Sequence, residues 1–182
     1  MKLLVFAGSL RADSCNKKFA REALRLAQEA GTEGEFLDLK NYPMPPYDGD
    51  IQASTGIPKM TADLAQKIAA ADALIVSTPE YNGTIPGTLK NVIDWLSRCD
   101  PMPLDNKHVL LLAASPGALG GVRVLWHARQ PFEALGVYVY PGMMGLSDAY
   151  NAFDDGGKLK DVKTQGRLKE LVGAYIAHAK GR

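Results

Sequence analysis

The chain has 182 residues, 46% of them apolar and 23% charged, with a formal net charge of +1. That length favours a single domain, residues 1–182, with room for a sizeable core, and the composition is globular rather than disordered. The near-neutral balance points away from a nucleic-acid or membrane-surface partner, which would want a basic patch, and no apolar run is long enough to span a bilayer.

Leu3-Leu4-Val5-Phe6-Ala7 is an unbroken apolar run that suits a strand buried on both faces. Gly8 ends it, and Ser9, Arg11, Ser14 and Asn16 follow with hydrogen-bond donors. Ser14 is a natural N-cap for a helix from about Cys15 to Ala30, which buries Phe19, Ala23, Leu26 and Ala27 and which Gly31 closes. A buried strand, a small polar loop and a helix N-terminus make an anion site. The first-turn N–H groups converge there, the helix dipole adds positive potential, and Arg11 adds a full charge. A bare β-α unit with a solvated Arg11 is the plainer alternative.

Glu35 to Leu39 alternates and predicts an edge strand. Asn41 to Pro58 holds Pro43, Pro45, Pro46 and Pro58 with Tyr42 and Tyr47 between them. It reads as a long irregular stretch, either a cover over something or a surface connection. A helix is expected over Lys59 to Ala71. Ala73 to Thr78 is a buried strand that Pro79 stops, and a helix follows from about Gly87 with Leu89, Val92, Ile93 and Leu96 inward. His108 to Ser115 is another apolar strand, ended by Pro116-Gly117. A helix over Gly121 to Leu135 should be kinked or split by Pro131. Gly136 to Pro141 is the fifth strand, Asn151 to Gly157 a turn-rich loop, and Lys158 to Ala179 the last helix.

Strands that alternate with helices predict an α/β fold, a doubly wound parallel sheet with helices on both faces. Ligands of such sheets bind beyond the strand C-terminal ends, so the loops Gly8–Asn16, Pro79–Gly87 and Ser115–Gly121 should meet at one crevice. In the second loop, prolines and glycines fix the backbone path, Tyr81 offers an aromatic face, and Asn82 offers hydrogen bonds. That combination suits a flat heterocycle with polar edges, or else a rigid turn with an exposed tyrosine. The glycines of the third loop allow close approach from the opposite side, or merely meet the demands of positive φ.

Gly8-Ser9-Leu10-Arg11-Ala12-Asp13-Ser14-Cys15-Asn16 resembles the G-S-x-R-x-x-S-x-N phosphate loop of the NADPH-dependent FMN reductase family. Pro79-Glu80-Tyr81-Asn82-Gly83-Thr84-Ile85-Pro86-Gly87, continuing through Leu89-Lys90-Asn91 and Ile93-Asp94-Trp95, resembles that family's second signature, and Ser115-Pro116-Gly117 its third loop. The bacterial quinone and chromate reductases are the branch most alike. Departures are small: Cys15 stands where a larger residue is usual, and Val92 where alanine is common. The resemblance implies a flavodoxin-like five-stranded sheet of order 2-1-3-4-5. It implies FMN with its phosphate at Ser9, Arg11, Ser14, Cys15 and Asn16, and its ring edge against Pro79, Glu80, Tyr81, Asn82, Gly83, Ser115 and Gly117. It implies NADPH or NADH as reductant, a small-molecule acceptor such as a quinone, with chromate and azo compounds also open, and a homodimer or homotetramer with the helix from Gly87 and its neighbours at the interface. The flavin would carry the chemistry, so no catalytic acid or base is expected.

Other readings are weaker. A dinucleotide-binding dehydrogenase needs G-x-G-x-x-G, and only Gly8 of that pattern is present. Cys15 and Arg21 have the C-x5-R spacing of a phosphatase, but the residues between them read as helix and put Arg21 nearly two turns along it. The helix N-terminus favours a lowered Cys15 pKa. A flavodoxin-type electron carrier is the rival of a different class, though such carriers are strongly acidic and this chain is not. His108, His127 and His178 fall in no ligand spacing, so no metal is expected. Trp95 and Trp126 read as core or subunit interface. Cys15 and Cys99, far apart and in no pairing pattern, suit a reducing cytoplasm, and no export is expected.

Overall fold

A computed structural model describes residues 1–181. Three strands form the buried centre of the sheet: β1 (Lys2–Ala7), β3 (Ala73–Thr78) and β4 (His108–Ala114). β2 (Glu33–Leu37) and β5 (Tyr138–Val139) flank them in the order β2-β1-β3-β4-β5, all pairs parallel. Alternate side chains of each central strand enter two separate cores. Leu4, Phe6, Leu74 and Val76 pack under α3 (Lys59–Ala69), α4 (Gly87–Leu96) and α5 (Val122–Glu133). Leu3, Val5, Ala73 and Ile75 pack under α1 (Cys15–Glu29) and α6 (Val162–Lys180). The expected doubly wound sheet of order 2-1-3-4-5 is therefore present, with helices on both faces.

The differences from expectation lie at its margins. β2 ends at Leu37, because the Asp38 side chain accepts from the Lys40 N–H at 3.0 Å and turns the chain into a single 3₁₀ turn over Leu39–Asn41. The 41–58 stretch contains a short helix, α2 (Gly49–Thr55), capped by Asp48 and stopped by Gly56 at φ 75°. No residue of α2 is buried, so it has no apolar stripe by which to be recognised. The segment before it is fastened to α4. The Pro45 carbonyl accepts from Trp95 Nε1 at 2.8 Å and Asn91 Nδ2 at 2.9 Å, and the Tyr47 ring meets Trp95 edge-on at 5.1 Å. This segment thus covers Trp95, which is fully buried.

α5 is not split by Pro131, which sits in its last turn and runs unbroken to Glu133. The fifth strand is divided instead. β5 pairs His108 with Tyr138, whereas β6 (Met144–Leu146) pairs Leu112 with Met144 further along the same edge of β4. The chain gains two residues between the pieces, around Pro141, which has no N–H for a ladder. The last helix begins at Val162, not Lys158. Asp161 caps it by accepting from Thr164 N at 2.8 Å, while Lys158 closes a turn onto Asp154.

Tyr175 of α6 is fully buried, and burial holds its phenol well above the ordinary pKa. Its hydroxyl lies 2.7 Å from the Leu74 carbonyl and 2.9 Å from that of His108, and accepts from Leu74 N at 3.2 Å. It therefore joins β3, β4 and α6. Tyr175→Phe leaves these backbone groups short of a partner and is expected to lower stability by about 1–3 kcal/mol. Urea denaturation should show a lower midpoint at unchanged slope. A midpoint equal to that of the native chain would refute the role.

Candidate cofactor site

The three loops meet beyond the C-terminal ends of β1, β3 and β4. They enclose a cavity of about 260 Å³. From the first loop it is lined by Ser9, Arg11, Ser14, Cys15 and Asn16, from the second by Pro79, Glu80 and Tyr81, and from the third by Ser115. Asn82, Gly83 and Gly117 are not among its lining residues. Asn82 and Gly83, both at positive φ, form the tip of a tight turn in which Tyr81 and Thr84 exchange backbone hydrogen bonds at 3.0 and 3.1 Å. Gly117 lies exposed, its N–H 3.2 Å from Ser115 Oγ. Two other glycines of the third loop serve the fold. Gly120 and Gly121 both have positive φ, and added Cβ atoms would come within 2.9 Å of Ser147 N and 2.8 Å of Ala113 Cβ.

The floor is built for an anion. Ser14 caps α1 by accepting from Lys17 N at 3.4 Å, and its hydroxyl proton remains available. The N–H groups of Cys15 and Asn16 have no acceptor among the described residues. Ser9 is buried beside them, and its Oγ is 3.4 Å from Arg11 N. The Arg11 guanidinium is exposed at the rim, on the same cavity that Tyr150 lines. A phosphate group fits these unpaired donors and this cation.

Several polar side chains are already engaged. Asn16 Nδ2 donates to the Ala114 carbonyl at 2.8 Å, and its Oδ1 accepts from Ala114 N and Ser77 Oγ, each at 2.8 Å. The amide thus bridges the ends of β3 and β4, and only its backbone faces the cup as an unpaired donor. Glu80 is likewise occupied. Its carboxylate accepts from Arg123 Nε at 2.7 Å and Val124 N at 3.3 Å, and Arg123 Nη2 closes the pair. α5 has no side-chain cap of its own. Glu80 supplies the negative charge at its N-terminus and locks the second loop to it. Lys17, buried behind the cup, meets Asp38 at 2.7 Å and ties α1 to the end of β2.

Burial raises the Cys15 pKa, and this outweighs the opposing charges of Lys18 and Arg11. The expectation of a lowered thiol pKa is therefore corrected: the helix N-terminus does not compensate for lost solvation. Pro116, within the expected third loop, also lines the cavity, and two lining residues escaped the sequence reading, namely Ala114 and Tyr150. Ala114 precedes Ser115 at the end of β4. Tyr150 follows β6, and the only sign of it was an aromatic residue at the start of a turn-rich loop. His108 and His178 come together at the other end of the sheet, ring centroids 5.5 Å apart. No cluster of three metal-ligating side chains exists among the described residues. No helix there is long and apolar enough to cross a membrane.

Comparison with known proteins agrees with this geometry. The family model described as NADPH-dependent FMN reductase matches residues 1–151. An NAD(P)H-dependent FMN reductase of Pseudomonas aeruginosa is 38% identical over 176 residues, covering 96% of this chain and 92% of that protein. A quinone reductase of Escherichia coli is 36% identical over 179 residues, covering 97% and 93%. Among solved structures, the flavoenzyme NAD(P)H:(acceptor) oxidoreductase FerB of Paracoccus denitrificans superposes with a TM-score of 0.83 at 27% identity, covering 99% of this chain and 97% of that one.

The Lys17–Asp38 pair gives the site's frame a pH dependence. Burial alone would raise the Asp38 pKa, but the hydrogen bonds from Lys17 and Lys40 N, with the Lys17 charge, hold it below the ordinary value. A carboxylate lowered in this way contributes stability that is present above its unfolded pKa of about 4 and is lost as pH falls through the folded value. The stability gap between the native chain and Asp38→Asn should hold steady from about pH 7 to 5 and narrow below about pH 4. Denaturant melts across that range check this, and a gap that ignores pH would refute it.

Proposed function

Because the chain belongs to the NADPH-dependent FMN reductase family, we propose that it is an FMN-dependent NAD(P)H oxidoreductase that passes electrons to quinones or similar small-molecule acceptors. One observation carries this reading: unpaired first-turn N–H groups, two serine hydroxyls and Arg11 converge at one end of a cavity whose other walls are the Pro79–Tyr81 and Ser115 segments. When bound, FMN supplies the redox chemistry, accepting a hydride equivalent from NADPH or NADH and giving electrons to the acceptor.

The chain's own residues bind and orient. Ser9, Ser14, Arg11 and the N–H groups of Cys15 and Asn16 take the phosphate. Pro79, Tyr81 and Ser115 form the slot for the ring, with Asn82, Gly83 and Gly117 as its outer contacts. Glu80 acts from behind, holding the second loop on α5, and no side chain is assigned a proton-transfer role. The acceptor is chosen by access to the ring rather than by a dedicated pocket of charges, which leaves quinones, chromate and azo compounds as candidates. We place the protein in the cytoplasm, in keeping with its two free thiols. A homodimer or homotetramer belongs to the same reading. Leu119, Val122 and Trp126 stand exposed on and beside α5, Trp126 at 61%, and so offer an apolar face next to α4.

The purified protein should show flavin absorption bands that bleach when NADPH is added under argon and return with a quinone. Bands that stay oxidised would instead favour a carrier that needs a partner reductase. A colourless protein that takes up no added FMN would refute the reading. Arg11→Ala should weaken FMN binding by at least about tenfold, the value of a charge-assisted hydrogen bond, as read by quenching of flavin fluorescence. Unchanged affinity would place the phosphate elsewhere.

A further inference from the structure

Tyr150 is 66% exposed, yet it lines the cavity together with Ser9, Arg11 and Ser14. We infer that Tyr150 positions the FMN phosphate, its hydroxyl accepting from the Arg11 guanidinium and donating its own proton to a phosphate oxygen. The inference rests on the FMN reading above.

Three observations support it. The residue is presented by a fastened segment. The neighbouring Ala149 is fully buried, and its N–H donates to the Ser115 carbonyl at 3.2 Å, so Tyr150 is registered against the third loop. Asp148, at φ 47°, turns the chain there, and Asn151 closes that turn with its N–H 3.0 Å from the Asp148 carbonyl and its Nδ2 2.9 Å from Oδ1. Second, Arg11 has no carboxylate partner among the described residues. Asp13, two residues away, is taken by Lys18 at 2.6 Å. A neutral phenol orients the guanidinium without cancelling the charge that an anion needs, which an Asp or Glu in its place would do. Third, a hydroxyl has one proton and two lone pairs. Once it accepts from a cation its own proton is free to point into the cup, and the bond it then makes is strengthened by polarisation. Arg11 and Tyr150 line the same cavity, which places the two groups on one side of the cup.

The test is the dissociation constant of FMN and of riboflavin, which lacks the phosphate, for the native chain and Tyr150→Phe. The ring of Tyr150 is retained and its exposure makes the variant safe to fold. FMN binding should weaken about three- to tenfold, the value of one hydrogen bond, while riboflavin binding stays within about twofold. In an Arg11→Ala background the effect of Tyr150→Phe should shrink, since the partner that orients the hydroxyl is gone. Unchanged FMN affinity, or an equal loss for FMN and riboflavin, would overturn the role. A native chain that binds neither flavin would instead overturn the reading on which it rests.

Discussion

The site depends on one buried side-chain amide. Asn16 sits in the first turn of α1, yet its side chain bonds to Ser77 at the end of β3 and to both backbone groups of Ala114 at the end of β4. An amide in a low-dielectric interior must satisfy both its donor and its acceptor. This requirement fixes α1 over two strands at once. Because β3 and β4 emit the second and third loops, the same bonds set the distance from the phosphate cup to the walls of the slot. The cavity is thus a result of how the helix is seated rather than of loops that happen to meet.

Around that seat the polar residues divide their work by depth. Lys17, Asn16 and the Glu80 carboxylate are buried and matched to partners within the chain. Ser14, Arg11 and the first-turn N–H groups keep donors to spare and face the opening. A donor that already has a good partner adds little affinity for a ligand, whereas an orphaned one gains a full bond when the ligand arrives. Pre-arranged orphans of this kind also lower the ordering cost of binding.

The sequence made the centre legible and the margins less so. Three central strands, α1 and the meeting of three loops followed from apolar runs and their stops, because each is bounded by a residue with one strong effect: Gly8, Pro79, Pro116. The cup residues could be named because Ser14 as a cap forces the next two N–H groups to be free. What side chains do across the fold was not legible. Glu80 reads as a ring-facing acid, but its partner at the start of α5 is distant in sequence, and no periodicity reports it. The thiol of Cys15 depends on burial, which a helix-end argument omits. α2 buries no residue, and Tyr150 lines the cavity from a segment beyond β6 that no sequence pattern ties to the three loops.

The division of the outer strand into β5 and β6 has a further meaning. A sheet edge with unpaired backbone groups invites a strand from another molecule. Here one border is a two-residue piece, a gap at Pro141 and a three-residue piece, out of step with each other by two positions. The opposite border, β2, runs Glu33–Leu37 and opens with two acids around a glycine, Glu33-Gly34-Glu35. The first is too broken, and the second too acidic at its start, to be a good template for extending the ladder. The folded sheet's borders thus favour association of copies through helices over lengthening of the ladder.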